Sequence, residues 1–320
     1  MLLRMRYIVA CALALAPLTA SAQYPAKPVR FVAPYPAGGV NDIVARILGQ
    51  RMAAALGQAW VIDNRPGRGG NIGTEAVAKA PPDGYTLVHG GMGSLTLGPF
   101  LGKVPYETVR DFAPITLTAR APNVLAVHPS LPVRSVKDLV ALAKARPGEL
   151  NYATSGVGST PHLTAALFTS MAGIRMVHIP YKGGPPATTD VLAGQVPIGF
   201  APIPSFLPHI TSGKLRGLAV TGLQRSPTLP SLPTVNESGL PGFEMSPWFG
   251  VLAPAGTSPE IVSRLNTELV RILRSPEIAA QFAAQGVEPA YSTPDEFLAL
   301  IKADLKKWGK VIAEAGIKGE

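Results

Sequence analysis

The sequence predicts an α/β fold of two lobes, each a mixed, mostly parallel sheet flanked by helices. Three observations predict it. The chain has 320 residues, which is enough for about two domains. Short apolar strands alternate with amphipathic helices, a pattern typical of parallel sheets covered on both faces. Two extended breaks interrupt the alternation, and we interpret them as places where the chain crosses between lobes.

The first element is an export signal over residues 1–22. A positively charged start precedes a short apolar run, and the small residues Ala20, Ser21 and Ala22 predict cleavage after Ala22. The run is too short to span a bilayer permanently. We therefore expect a secreted mature chain that begins at Gln23, beyond the inner membrane.

Cys11, the single cysteine of the chain, lies within this signal. The small residues before it are typical of a lipid-modified cysteine, but such a site should close the apolar run, which continues past Cys11. If the signal is removed, the mature chain has no cysteine. Disulfides, thiolate catalysis and cysteine-ligated metals are then excluded.

The first lobe follows as a repeat of strand, turn and helix. The helix predicted after the first strand has an apolar stripe at helical spacing, and Gly57 marks its end. The predicted elements, in order, are the strand Val29–Pro34, the helix Asn41–Leu56, the strand Trp60–Asp63, a helix near Thr74–Lys79 and the strand Tyr85–His89.

The second lobe repeats the same theme after an extended run over Ile115–Pro129. Glycine-rich turns again separate apolar strands from helices. The predicted elements are the strand Leu150–Ala153, the helix His162–Met171, the strand Met176–Pro180, the helix Ala187–Leu192, and the strands Val196–Phe200 and Leu218–Thr221.

The chain then returns to the first lobe through the proline-rich stretch Arg225–Trp248. Three helices follow, each opened by a cap residue and a proline at the first helical position. They start at Ser258-Pro259, Ser275-Pro276 and Thr293-Pro294. We expect one lobe from residues 23–122 plus 223–320, and an inserted lobe from 123–222.

The charge of the chain favours small anions over nucleic acid as partners. The net charge is +9, of which Arg4 and Arg6 in the signal supply two. The basic residues are scattered, and the densest group, around Lys306 on the last helix, lies beside Asp304. No basic and aromatic residues interleave, so a nucleic-acid face is disfavoured. A basic surface attracts small anions.

Four turns share one design: an apolar strand, a glycine-rich bend and a helix. They are Ala37-Gly38-Gly39, Gly69-Gly70-Asn71, Ser155 to Thr160, and Lys182-Gly183-Gly184. In parallel α/β sheets such turns share the carboxyl edge, where ligands bind. A helix start presents unpaired N–H groups, and glycine lets an anion approach them. Packing alone also explains any one such turn, so the set predicts, without proving, an anion site.

Catalytic and metal patterns are weaker. No dinucleotide fingerprint or phosphate-binding P-loop occurs. Ser94, Ser155 and Ser159 are candidate nucleophiles, and His162 lies three residues after Ser159, but none is in G-x-S-x-G. The five histidines are dispersed and lack metal-ligand spacing. We expect no catalytic residue, no metal and no cofactor, and we keep a Ser–His hydrolase as a remote alternative.

Asp42 at the first helix start raises a separate question. A carboxylate is favourable there as a cap, but in the cleft it would repel a ligand carboxylate. We predict that Asp42 turns towards the backbone or else meets a ligand ammonium group.

Five segments, taken together, resemble the tripartite tricarboxylate transporter solute-receptor family, the Bug proteins, in order along the mature chain. The segments are "FVAPYPAGGVNDIVARIL", "VIDNRPGRGGNIGTEAVAKAPPDGYTL", "NYATSGVGSTPHL", "HIPYKGGPPATTDVLAGQV" and "GKLRGLAVTGLQRSPTLPSLPTVNESGLPGF". The resemblance implies a type II, periplasmic binding protein-like fold with a cleft between the lobes. It implies a monomeric periplasmic receptor that closes on a small carboxylate and passes it to a membrane permease.

The resemblance also implies which positions hold the ligand. They are the turn after the first strand, the turn at Asn71 and the turn of the other lobe, with further residues completing the cleft. The expected ligand-binding residues are Tyr35, Ala37, Gly38, Gly39, Asn71, Ser94, Ser155, Gly156, Ser159, Thr160, His162, Lys182, Gly183 and Ala201.

Ala201 marks a departure from the family pattern, since relatives often have an aspartate that closes this strand. A carboxylate there would suit a ligand amino group. We therefore expect a ligand without an ammonium group, a di- or aromatic carboxylate rather than an amino acid. A use of the same fold as a ligand sensor for a signalling partner stays open.

Overall fold

The computed structural model describes residues 24–314, so the predicted export signal, its cleavage site and Cys11 lie outside the described residues. The described chain forms two lobes, each with one sheet flanked by helices. The predicted α/β, two-lobed fold class is confirmed. Within this part of the chain, no helix is both long and apolar enough to cross a membrane.

The first lobe contains a six-stranded sheet in the order β11-β4-β10-β3-β1-β2. Four of its strands run in one direction, and β10 and β11 run against them. The strands are β1 (Val29–Ala33), β2 (Trp60–Asn64), β3 (Thr86–Gly91), β4 (Phe112–Arg120), β10 (Trp248–Pro254) and β11 (Glu288–Pro289).

The second lobe contains a five-stranded sheet in the order β7-β6-β8-β5-β9, in which only β5 runs against the others. The strands are β5 (Asn123–Val127), β6 (Asn151–Thr154), β7 (Val177–Pro180), β8 (Ile198–Pro202) and β9 (Arg216–Val220). In each sheet the reversed central strand, β10 or β5, is the first strand after the chain crosses from the other lobe.

The helices cover the faces of these sheets. They are α1 (Val40–Leu56), α2 (Asn71–Ala78), α3 (Gly98–Leu101), α4 (Thr108–Asp111), α5 (Val136–Ala145), α6 (Thr160–Ala172), α7 (Gly184–Leu192), α8 (Ile203–Thr211), α9 (Pro259–Leu273), α10 (Pro276–Ala284) and α11 (Pro294–Glu314). A 3-10 turn over Arg68–Gly70 precedes α2, and a π-helix over Gly93–Leu97 precedes α3.

The extended run over Ile115–Pro129 is in fact two strands of different sheets. β4 ends at Arg120 in the first sheet, and β5 begins at Asn123 in the second. The sequence pattern missed this division because an apolar run does not reveal its pairing partners. We propose one crossing at positions 121–122 and the return crossing after β9.

The predicted caps of the C-terminal helices are confirmed. Ser258 Oγ accepts from the Ile261 amide, and Ser275 Oγ accepts from the Ile278 amide. Each hydroxyl satisfies an amide that has no partner inside its helix. These three helices therefore start where the Ser/Thr-Pro pairs place them.

β10 packs against α11 with almost no space at its centre. Gly250 lies opposite both β3 and β4, and a Cβ at this position would lie 2.3 Å from Cζ of Phe297. Trp248, two residues earlier, donates through Nε1 to Asp304 Oδ2 at 2.6 Å. The C-terminal helix is thus fixed to the central strand of the first lobe by a close packing contact and a hydrogen bond.

We predict that Gly250→Ala destabilises the protein by about 1–3 kcal/mol, because the added methyl overpacks the core against Phe297. Chemical denaturation measures the change. Gly102→Ala is the control, since its backbone φ of 170° suits alanine and nothing lies within 4 Å of the added carbon. Equal stability of the two variants would contradict the prediction.

Candidate functional site

A cavity of about 650 Å³ lies between the two lobes. Residues of both lobes form its wall, including the turns that begin α1, α6 and α7. Most of the wall is apolar, as is usual for a small-molecule site. Among the described residues that line it none is Asp or Glu, and its charged side chains are Arg68 and Lys182.

The lobes are in contact around this cavity, so the structure is a closed form. A Cβ at Gly183 of the second lobe would lie 2.4 Å from Cγ of Pro36 in the first. A Cβ at Gly69 of the first lobe would lie 3.0 Å from the Val157 carbonyl oxygen of the second. Glycine at these positions allows the two backbones to approach.

The turn before α1 is arranged by Asp42. Its Oδ2 accepts from the Gly38 amide at 2.9 Å, and its Oδ1 accepts from Asn64 Nδ2 at 2.9 Å. Burial alone would raise the pKa of Asp42, but hydrogen bonds from Arg46, Gly38 and Asn64 hold it below its ordinary value. The prediction that Asp42 turns towards the backbone is confirmed.

This arrangement changes which amides of the turn can meet a ligand. The Gly38 amide bonds to Asp42, and the Gly39 amide bonds to the Pro36 carbonyl at 3.4 Å. Gly39 caps α1 without a side-chain bond. Within the described residues, no acceptor binds the amides of Val40 and Asn41, both of which line the cavity. The free donors therefore lie in the first turn of α1 rather than in the glycine pair.

His89 fixes this first turn to β3. Its Nδ1 lies 3.1 Å from the Asn41 carbonyl, and Asn41 Nδ2 donates to the His89 carbonyl at 2.7 Å. Burial lowers the pKa of His89 to about 3, so the ring is neutral and makes these bonds without a counterion.

The second lobe presents the start of α6. The Ser159 side chain caps this helix by accepting from the His162 amide at 3.3 Å, and it donates to the Gly156 carbonyl at 2.6 Å. The Thr160 amide and the Ser155 hydroxyl have no hydrogen-bond partner within the described chain. Both residues line the cavity.

α7 contributes the third helix start. Gly183 precedes it with no side-chain cap. Within the described chain, the amides of Gly183 and Gly184 have no acceptor, and both residues line the cavity. Tyr181 beside them donates its hydroxyl to Asp190 Oδ2 at 2.6 Å, which leaves no free proton on that hydroxyl for a ligand.

Eight of the predicted ligand-binding residues are brought together in the cavity wall. They are Tyr35, Gly39, Ser155, Gly156, Ser159, Thr160, Lys182 and Gly183. Six others do not form part of the wall: Ala37, Gly38, Asn71, Ser94, His162 and Ala201. Ala37 and Gly38 are exposed outside it, and Ala201 is buried within the second lobe next to Pro202, which does line the cavity.

Asn71 and Ser94 lie behind the wall in a polar cluster. The Tyr106 hydroxyl is 2.9 Å from Asn71 Oδ1 and 2.7 Å from the Ser94 carbonyl. Thr74 Oγ1 lies 3.0 Å from Ser94 Oγ, which is fully buried. The cluster ties the start of α2 to the π-helix. Asn71 and Ser94 thus stand next to the wall residues Gly70 and Gly93 without lining the cavity themselves, and their role as ligand contacts stays a prediction.

His162 is also a supporting residue, in a column of three rings. It stacks on His178 with centroids 4.2 Å apart, and His178 stacks on Tyr152 at 5.1 Å. His162 Nδ1 accepts from the Gly158 amide at 3.3 Å, and His178 Nε2 lies 2.6 Å from Thr154 Oγ1. Through these hydrogen bonds both imidazoles fix the loop before α6 on its side away from the cavity.

These contacts do not assemble a hydrolase. A Ser–His pair needs the serine hydroxyl and an imidazole nitrogen within hydrogen-bond reach. Here Ser159 Oγ bonds to backbone groups, and His162 Nδ1 is bonded to a backbone amide. No hydrogen bond between a serine hydroxyl and the His162 ring occurs in the described chain.

The sequence pattern missed several wall residues, among them Arg68, Tyr181, Ser205 and Phe249. Arg68 stands inside the predicted "RPGRGG" turn, so its position was visible but its direction was not. Tyr181 follows β7, Ser205 lies in the first turn of α8 and Phe249 lies within β10, and no local motif marks them.

The fold and the cavity define a two-lobed solute-binding protein. The family model described as "Tripartite tricarboxylate transporter family receptor" matches residues 44–317. The chain therefore belongs to the tripartite tricarboxylate transporter family of receptors, and it is a binding protein rather than an enzyme.

Individual relatives agree with this assignment. The chain is similar to Protein BugT of Bordetella pertussis, with 40% identity over 95% of this chain and 93% of that protein. Among solved structures, R. palustris Rpa4515 with adipate has a TM-score of 0.89 and 40% identity over 93% of this chain and 100% of that one. MatC from Rhodopseudomonas palustris with bound malate has a TM-score of 0.85 and 29% identity over 90% and 100%.

We predict that acid weakens the fold through the histidine column. Burial lowers the pKa of His162 to about 4, and burial together with the nearby His162 lowers that of His178 to about 4. The ordinary value of 6.5 applies in the unfolded chain. Between these values the unfolded chain binds protons that the folded protein does not, so stability falls as pH falls from about 6.5 to about 4.

Chemical denaturation across that pH range tests this prediction. At about 1.4 kcal/mol per pKa unit, the buried His162 contributes roughly 2–3 kcal/mol to the loss, and the half-buried His178 contributes less because solvent screens its charge. His178→Gln should therefore lose less stability than the unchanged protein over the same range. Parallel stability curves for the two proteins would show that the column does not titrate as described.

Proposed function

We propose that this protein is an extracytoplasmic receptor that captures a small organic carboxylate between its lobes and delivers it to a tripartite permease. One observation carries the proposal. The starts of α1 and α7, which have no side-chain cap, and the start of α6, whose first amide stays free beside its Ser159 cap, place free amides from both lobes at one cavity whose described wall residues include no acid. The positive ends of three helix dipoles meet there, which favours an anion.

The magnitudes are sufficient without any further cation. A hydrogen bond to a charged group contributes roughly 1.5–3 kcal/mol. Val40, Thr160 and Gly184 together offer three such donors, and micromolar affinity requires about 8 kcal/mol. Apolar contacts with the cavity wall supply the remainder.

The ligand class follows from what the wall lacks. A ligand ammonium group would need a carboxylate partner in a site whose wall is mostly apolar. Ala201, buried beside the wall residue Pro202, stands where the family resemblance implies an aspartate in many relatives, and the described wall itself contains no acid. We therefore propose a di- or aromatic carboxylate. The adipate of Rpa4515 and the malate of MatC, both dicarboxylates, support this class.

Closure of the lobes distinguishes the ligand-bound receptor from the empty one, and the permease recognises this difference. Because each lobe offers its own amides, the ligand forms its full set of contacts only in the closed form and so stabilises it. We propose that transient docking of this closed form on a permease, in the periplasm, releases the ligand for transport. A sensor role would use the same binding chemistry, and capture of the bound partner separates the two roles.

The direct test is native mass spectrometry of the freshly purified protein, followed by calorimetric titration with a panel of acids. We expect a co-purifying organic acid, and tighter binding of succinate- or benzoate-like acids than of aspartate or glutamate. Preferential binding of either amino acid would contradict the proposed ligand class. Failure of every acid in the panel to bind would remove the proposal itself.

A second prediction concerns closure. Gly183→Ala places a methyl against Pro36 across the cleft, so we expect the dissociation constant of the tightest acid in the panel to rise at least tenfold. Gly213→Ala is a matched control, because its φ of 73° is also left-handed but nothing lies within 4 Å of the added carbon. Equal affinity of the two variants would show that this contact is unnecessary for binding.

A further inference from the structure

Arg68 and Lys182 are the charged side chains of the cavity wall, and they come from opposite lobes. Arg68 precedes α2 in the first lobe, and Lys182 precedes α7 in the second. Both side chains are exposed. Because both residues line the same cavity, the closed form holds two cations from opposite lobes in one wall.

Neither cation has an acid to neutralise it. Arg68 and Lys182 form no ion pair with any carboxylate of the described chain, although many other arginines do. The Arg68 guanidinium has one hydrogen bond, from its terminal nitrogen to the Lys103 carbonyl at 3.5 Å, which is longer than an ordinary N–H···O bond. Most of its five donors are therefore available to a ligand.

The backbone of Arg68 is itself unusual. Among the described residues other than glycine, it alone has a positive φ, 48°, and it lies between Gly67 and Gly69, which have φ values of 134° and 65°. This conformation is unfavourable for a residue with a side chain. The turn could be made of glycine throughout, so local folding does not require an arginine here. What Arg68 contributes to the turn is therefore its guanidinium side chain.

We propose that Arg68 is the selectivity-determining residue of the cavity. Together with Lys182 across the cleft, it binds a second anionic group of the ligand while the helix-start amides hold the first. This inference rests on the proposed carboxylate-binding function and adds to it a preference for dianions. A planar guanidinium matches a carboxylate with two parallel hydrogen bonds, and lysine adds a point charge.

The arrangement also explains why two anionic groups are not repelled by the site. The described wall contains no acid, so each end of a diacid meets only donors or cations. A monoacid of the same length would leave Arg68 and Lys182 bound only to water. The diacid thus gains one charge-assisted contact from each lobe, and this contact exists only in the closed form.

The test compares diacids with monoacids of equal length: succinate with butyrate, adipate with hexanoate, and suberate with octanoate. Calorimetric titration of the unchanged protein should show at least tenfold tighter binding of the best diacid than of its monoacid. In Arg68→Gln we expect that preference to fall at least tenfold, and we expect Arg68→Lys to restore part of it.

Arg65→Gln is the matched control, because it removes the same charge three residues away. Arg65 pairs with Asp63 at 2.8 Å and does not line the cavity, so its diacid preference should stay that of the unchanged protein. Equal loss in both variants would reduce the role of Arg68 to general surface charge and overturn the inference.

The two proposals fail in different ways. If the unchanged protein binds neither these acids nor the benzoate-like acids of the panel, the carboxylate-receptor function fails, and if it binds only the benzoate-like acids, the receptor function stands and the role of Arg68 is overturned. If it binds acids but treats diacids and monoacids alike, or if Arg68→Gln keeps the full preference, the receptor function stands and the role of Arg68 is overturned. Thermal denaturation of each variant checks that the compared proteins are folded.

Discussion

The structure depends on one constraint: the first amides of a helix have no partner inside that helix. Several helix starts among the described residues satisfy one of them with a side chain, as Ser258 and Ser275 do. α1 and α7 do not, because glycines stand at their caps. α6 is capped by Ser159 but leaves its first amide free. The first residues of these three helices line one cavity, and an anion bound there accepts hydrogen bonds from the amides that have no acceptor within the fold.

The surroundings keep those amides available. Asp42 could itself neutralise the site, but Gly38, Asn64 and Arg46 bind its carboxylate and hold it in the turn. His162 and His178 hold the opposite loop from behind, as neutral rings that add no charge. The site therefore combines free donors with a wall of low polarity, where a hydrogen bond to an anion is stronger than in water.

Local chemistry was predictable from the sequence, and long-range placement was not. The strand–turn–helix repeats, the serine caps and the inward turn of Asp42 follow from residue type and spacing. The division between β4 and β5 does not, because strand pairing is non-local. Asn71 and Ser94 belong to a recognisable motif, yet their side chains bond to Tyr106 and Thr74 behind the wall. Which face of a short helix meets the cleft is decided by packing, and the sequence does not show it.

The most direct measurement follows individual backbone amides by NMR while a bound carboxylate is titrated, with its neutral primary amide as the comparison. The account predicts downfield shifts of the Val40, Thr160 and Gly184 amide protons with the acid and much smaller shifts with the neutral analogue. Shifts confined to other residues, or equal shifts with both compounds, would contradict the claim that main-chain donors of both lobes hold the carboxylate.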